Sequence, residues 1–294
     1  MRIRLLAVWW IACLLWSSTF LFIRVGIGEV RPFTLAWTRL AIALAILAPI
    51  ALVRGDLRTL RAAADLRRVA SAGLLLLGVN YALLFWGAQF IPSGLVAILQ
   101  SGTPLLALAF ACAIGQERLT FRKLITLILG IVGVALIFGS EALTSGRMAM
   151  TGAAAVFAAA ACVAGAYVWM KSYGGRIAPL AMTTIQSGAA VIPLLCLALF
   201  TEGIPSPAHW SASAWGAVLY LAVAASVVAF WLNYWLLARM DASAMLMMGV
   251  AEVPIAVLLG AAFLGERLPS GTFVGGVCVL LAVVTRLSSN LQKS

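Results

Sequence analysis

The chain has 294 residues, 64% hydrophobic and only 10% charged, with a formal net charge of +11. So little polar side chain cannot coat a water-soluble globule of this size, which excludes a soluble domain and places the chain in lipid. The positive balance does not signal nucleic acid, because the basic residues are spread over short connections instead of gathered on one face.

A hydrocarbon core about 30 Å thick needs roughly 20 apolar residues per helix. Stretches of that kind run over 5–27, 33–53, 69–90, 93–114, 121–139, 151–172, 178–200, 212–237, 242–263 and 270–288. They predict an all-α membrane protein of ten transmembrane helices, since in lipid each backbone group must be bonded within its own segment. The first stretch follows Met1-Arg2-Ile3-Arg4 without a small-x-small cleavage site, so it is expected to be retained as a span. With the N-terminus placed in the cytoplasm, fifteen of the 20 Lys and Arg fall inside and five outside, namely Arg24, Arg31, Arg39, Arg147 and Arg267. That bias predicts both termini cytoplasmic.

The fourth and ninth stretches close on the same signature, Gly115-Gln116-Glu117-Arg118-Leu119 and Gly265-Glu266-Arg267-Leu268. At an offset of 150, Ala88, Ser93, Pro104, Leu108, Ala111 and Gly115 meet Ala238, Ser243, Pro254, Leu258, Ala261 and Gly265, and the extra Gln116 then shifts the offset by one. The chain therefore reads as one unit written twice, residues 1–140 carrying helices 1–5 and 141–294 carrying helices 6–10. Five spans per unit is odd, so the second copy must be inverted in the membrane. Inverted repeats place a transport site near the midplane where the halves meet.

Ten spans in two halves, Leu15-Trp16-Ser17-Ser18 in the first helix, and the proline-to-Gly-Glu-Arg-Leu runs together resemble the drug/metabolite transporter superfamily, in its EamA branch. The resemblance covers essentially the whole chain. It implies a secondary carrier of the bacterial inner membrane that exports amino acids or related metabolites by alternating access, with exporters of the YddG type as near relatives. Gln116 departs from the usual Gly-Glu pair and bears on the local turn alone.

Several residues stand out as substrate-handling candidates. Glu252 lies about 15 Å along helix 9, at the bilayer midplane, where a charged carboxylate costs roughly 2.5–3.5 kcal/mol. It reads as a proton relay, as a partner for a substrate ammonium, or as a neutral acid bonded to a neighbouring helix. The amides Asn80, Gln100, Gln186 and Asn233, with Ser17, Ser18, Thr19, Ser101, Thr103 and Ser187, are expected to line a cavity or bond across helices. Trp16 and Tyr81 are deep aromatics, and Phe230, Trp231, Tyr234 and Trp235 form two i,i+4 pairs on helix 8. With Met245, Met247 and Met248 they make either a soft apolar pocket or ordinary packing. Arg24 and Arg39 suggest a cationic outer vestibule that attracts carboxylates or pairs with Glu29. Arg39 alternatively snorkels to the surface. Pro104 and Pro254 kink helices 4 and 9. Gly271 and Gly275, and the run from Ala153 to Ala161, allow close helix approach or a dimer seam.

Other classes are disfavoured. His209 is the only histidine and Cys13, Cys112, Cys162, Cys196 and Cys278 fall singly in different spans, so no metal, cofactor or catalytic cluster is expected. A channel would show rings of charge or a carbonyl filter. The partners expected are a small-molecule substrate and the lipid bilayer, with amino acids ahead of drugs and sugar phosphates, because a phosphate carrier needs several buried cations.

Overall fold

The computed structural model describes residues 2–60, 63–116, 118, 120–144, 146–170, 177–237 and 242–291. Among these there is no strand, and long helices follow one another in chain order. They are α1 (Arg2–Gly26), α2 (Pro32–Val53), α3 (Ala63–Gly87), α4 (Ser93–Ala113), α5 (Phe121–Thr144), α6 (Gly146–Met170) and α7 (Pro179–Thr201). α8 runs from Ala212–Leu219 through Tyr220–Val228 into Ala229–Leu237, and α9 (Ala242–Leu264) and α10 (Ser270–Leu291) complete the set. Seven of these helices are long and apolar enough to cross a membrane, while α5, α9 and α10 carry shorter apolar stretches at Lys123–Ile137, Ala251–Leu264 and Ser270–Ala282. The chain is a multi-pass membrane protein. Its outward-facing side chains fit that solvent, with Val53, Phe200, Ile131 and Leu258 exposed on the bundle surface.

Local chemistry explains the helix ends. Pro32 and Pro179 sit in the first turns of α2 and α7, where a missing N–H costs nothing. Gly115 and Gly265, the glycines of the repeated signature, close α4 and α9 at φ +74° and +64°, a left-handed conformation that a side chain would strain. α4 breaks at Gly102 before Pro104. The carbonyl that Pro104 leaves without its helical donor, Gln100 O, instead accepts from Thr103 Oγ1 at 2.6 Å. Pro254 stays inside a continuous α9.

Both α3 and α8 widen into π-helical runs, Leu74–Val79 and Tyr220–Val228. A π turn leaves carbonyls poorly served, and Ser226 Oγ donates to one of them, Leu221 O, at 2.8 Å.

Packing brings α2 against α7, α5 against α10, α9 against both α1 and α4, and α6 against α3 and α4. Without a hydrophobic drive between helices in lipid, close approach rests on small residues. At the α5–α10 crossing, a Cβ on Gly275 would lie 2.6 Å from Gly133 O, and one on Gly133 would lie 2.8 Å from Gly275 O. Gly87 and Gly152 cross in the same way between α3 and α6. Gly73 lets α3 touch the backbone of Gln186 in α7. The Gly271–Gly275 pair therefore serves packing within the chain.

Gly275→Val is expected to overpack the α5–α10 crossing and cost roughly 1–3 kcal/mol, read as a lowered Tm of the detergent-purified protein. Gly216→Ala, where an added Cβ meets nothing within 4 Å, is the control and should leave Tm nearly unchanged.

Candidate functional site

One end of the bundle, the end the charge bias assigns to the outside, is held by three carboxylates that each reach the start of another helix. Glu202, just past α7, accepts from Phe33 N (2.7 Å), Thr34 N (2.8 Å) and Thr34 Oγ1 (2.7 Å) at the start of α2, and Arg31 donates to its backbone carbonyl. Glu266, past α9, accepts from Ser93 N (2.9 Å), Ser93 Oγ (2.7 Å) and Gly94 N (3.4 Å) at the start of α4. Glu29 accepts from Ser211 Oγ (2.6 Å) and Ser211 N (3.1 Å), and Ser211 in turn caps α8 by accepting from Ala214 N. The Ser211 hydroxyl, then its amide, hold the Glu29 carboxyl below its ordinary value of 4.5, so this contact persists in neutral medium and is lost only as pH falls through that lowered value. Each acid satisfies N–H groups that a helix start leaves without partners and meets the positive end of a helix dipole. Glu117, the counterpart of Glu266 in the first signature, lies outside the described residues.

Arg24 does not meet Glu29. Its Nη1 donates to Ala88 O (3.0 Å) and Gln89 O (2.6 Å), tying α1 to the α3–α4 connection. Arg39 is 2% exposed in the middle of the fold. Its Nη2 donates to Ser226 Oγ at 2.9 Å, and its guanidinium carbon lies 5.0 Å from the Tyr81 ring centre and 5.9 Å from that of Phe85.

The remaining candidates separate into distinct places. Between α1 and α9, the Cys13 thiol contacts Met248 O at 3.9 Å, and Glu252 one turn beyond Met248 is close enough to interact electrostatically with Cys13. Glu252 is half-buried, and no hydrogen bond or ion pair reaches it among the described residues. Ser17 and Thr19 turn their hydroxyls back on Cys13 O (2.7 Å) and Leu15 O (3.1 Å) of their own helix. Trp16 packs edge-on to Phe230 of α8 at 6.3 Å, within a cluster that includes Trp235 and Met248. Gln100 donates across to Val156 O of α6 (3.3 Å), and Gln186 to Met170 Sδ (3.0 Å). Asn80 is buried just past the α3 π run. Its Nδ2 donates to Leu76 O while its Oδ1 has no partner. Asn233 is half-buried. Trp231 is 63% exposed and lines a crevice of about 480 Å³ with Leu47, Ile50, Thr183, Phe230 and Trp235. The side chains of Tyr234, Met245 and Met247 lie outside the described residues.

Sequence reasoning missed Ser226 and Tyr220. Tyr220 stacks on Phe22 at 3.8 Å and shares a 2.5 Å hydrogen bond with Ser18, joining α8 to α1. Ser226 was legible as a lone hydroxyl inside the apolar run 221–232, though nothing in the sequence pairs it with Arg39.

The described residues form a helical membrane bundle with polar groups buried between helices, an architecture that membrane transport proteins use. The chain belongs to the EamA-like transporter family, which it matches twice, over residues 5–139 and 150–287. It is 27% identical over 275 residues to a protein of Streptantibioticus cattleyicolor named as a probable terminal-alkyne amino-acid exporter, covering 92% of this chain and 88% of that one. It is 28% identical to the inner membrane transporter YedA of Escherichia coli (strain K12), covering 95% and 89%, and 24% identical to the transporter YoaV of Bacillus subtilis (strain 168), covering 92% of each. A solved crystal structure, 21% identical, superposes with a TM-score of 0.65 and covers 100% of both chains, so the fold is shared.

Glu266→Gln keeps the shape at the start of α4 but replaces a charge-assisted acceptor, and is expected to lower stability by about 1 kcal/mol or more. Melting of the purified protein checks this, and Ser93→Ala should give a smaller loss of the same sign.

Proposed function

We propose that the chain is a secondary carrier of the bacterial inner membrane, exporting small metabolites and amino acids foremost. In this reading it works by alternating access between two inverted five-helix halves, 1–140 and 141–294, with both termini cytoplasmic. The packing supports the two-fold reading. Exchanging each helix for its counterpart five later turns the α1–α9 contact into α6–α4, α3–α6 into α8–α1, and α3–α7 into α8–α2, while α2–α7, α4–α9 and α5–α10 map onto themselves. The π-helical runs of the counterparts α3 and α8, and the left-handed glycines closing α4 and α9, repeat the same correspondence.

The observation that carries transport is Glu252. A carboxylate about 15 Å along a membrane helix, without an ion-pair partner among the described residues, costs roughly 2.5–3.5 kcal/mol, and such groups mark substrate or proton pathways. Its place at the α1–α9 contact puts it in a seam between the halves, where rocking would expose it alternately to the two sides. The S. cattleyicolor relative, named for an amino-acid export role, supports amino acids as the substrate class. Sugar phosphates fit less well, because Arg39 is the one fully buried cation among the described residues. An enzyme reading gains nothing from His209, which lies exposed in the α7–α8 connection.

Counterflow of labelled amino acids into proteoliposomes, with neutral drugs and a sugar phosphate as competing classes, tests the assignment. Saturable amino-acid exchange is the expected result, and uptake confined to another class would overturn the substrate. Glu252→Gln is expected to make transport insensitive to pH. An unchanged pH profile would remove the proton-relay role and leave a facilitator driven by the substrate gradient.

A further inference from the structure

We propose that Arg39 is an internal carboxylate-binding group, its guanidinium held ready by Ser226, Tyr81 and Phe85 to receive the carboxylate of the exported molecule. This deepens the amino-acid export reading and rests on it.

Arg39 lies seven residues past Pro32, about 10 Å into α2, and is 2% exposed. A guanidinium carries five N–H donors and stays protonated even when buried. One of the five is used, on Ser226 Oγ, and the Nε–H has no partner. No carboxylate lies within ion-pair distance of it among the described residues. The acids at the nearer end of the bundle are already engaged, Glu202 by the start of α2, Glu266 by the start of α4 and Glu29 by Ser211. A buried cation without a counter-ion costs several kcal/mol after relaxation, and a hydroxyl with two aromatic rings offsets only part of that. The site therefore favours an anion.

Shape selects the kind of anion. Tyr81 and Phe85 attend the cation through their rings, which leaves N–H donors at its edge for a planar, two-oxygen acceptor. Asn80, next to Tyr81 in the chain, holds its buried Oδ1 without a donor. The hydroxyl of Thr38, next to Arg39 in α2, is likewise buried and unbonded. Ser226 sits on a π-helical run of α8 while Arg39 and Tyr81 belong to α2 and α3, so the group joins helices of both halves. Ser226 is a positioning residue in this arrangement.

The rival role for Arg39 is a fastener between α2 and α8. A fastener lowers stability when removed but leaves ligand discrimination untouched, and the test turns on that difference. Apolar and aromatic amino acids, the corresponding amino-acid amides, and acetate compete with labelled substrate in proteoliposome counterflow. The wild type should prefer acids to amides by roughly tenfold or more, the scale of one charge-assisted hydrogen bond, with acetate competing weakly. In Arg39→Gln the acid-to-amide preference should fall to about onefold, and Arg39→Lys should restore part of it. If Arg39→Gln yields no folded protein, Ser226→Ala takes its place and should narrow the ratio through weaker acid binding alone. An acid preference preserved in Arg39→Gln, or in Ser226→Ala where that variant is used, overturns the proposal while leaving amino-acid export standing. A wild type that exchanges only molecules lacking a carboxylate overturns both.

Discussion

Hydrocarbon offers neither hydrogen bonds nor counter-charge, so each polar group that enters it must be satisfied by the chain itself. Hydroxyls inside the helices mostly bond back one turn, as Ser17, Thr19, Thr184 and Thr201 do, and so leave the sequence apolar in effect. Where a helix begins, the same constraint recruits an acid from elsewhere. Glu29, Glu202 and Glu266 each serve the start of a different helix, and these contacts join segments 168 to 182 residues apart in the chain. Residues placed in short connections are thus what fastens one end of the bundle.

The same solvent sets how the helices pack. With no gain from moving a leucine out of lipid, helices approach where side chains are smallest, and Gly133–Gly275, Gly87–Gly152 and Gly73 bring backbones together at crossings that a single methyl would obstruct. Close crossings hold neighbours rigidly, whereas the π-helical runs of α3 and α8 loosen the backbone where Asn80 and Ser226 are presented. Asn80 and Ser226 are presented at these irregular places, whereas Gln100, Gln186 and Glu252 lie on other helices.

Much of this was legible in one dimension. Apolar stretches gave the helices to within a few residues at most ends, although α3 begins at Ala63, ahead of the expected 69, because the polar, amphipathic turn 63–68 extends the helix beyond its apolar part. The repeated signature marked its glycines, and their left-handed φ values explain why glycine recurs there. The site was less legible. Arg39, placed in the sequence as an outer vestibule or snorkelling residue, is buried against Tyr81 and Ser226, since a position along a helix gives depth but not the face it presents. Trp231 and Trp235, read together as a pair, both line the crevice, but Trp235 also packs into the cluster with Trp16 and Met248 while Trp231 stays 63% exposed, for the same reason.

By itself the sequence determined the class, because 64% apolar residues in helix-length stretches have one stable solution in lipid, and it determined the family through a signature written twice. Only the tertiary structure decided which charges are spent and which remain. Glu202, Glu266 and Glu29 are consumed by helix starts distant in the chain, while Arg39 keeps unbonded donors and Glu252 has no ion-pair partner among the described residues. Partnership across a membrane bundle depends on helix rotation and crossing, and these are set by contacts between residues far apart in sequence, which a linear pattern does not encode.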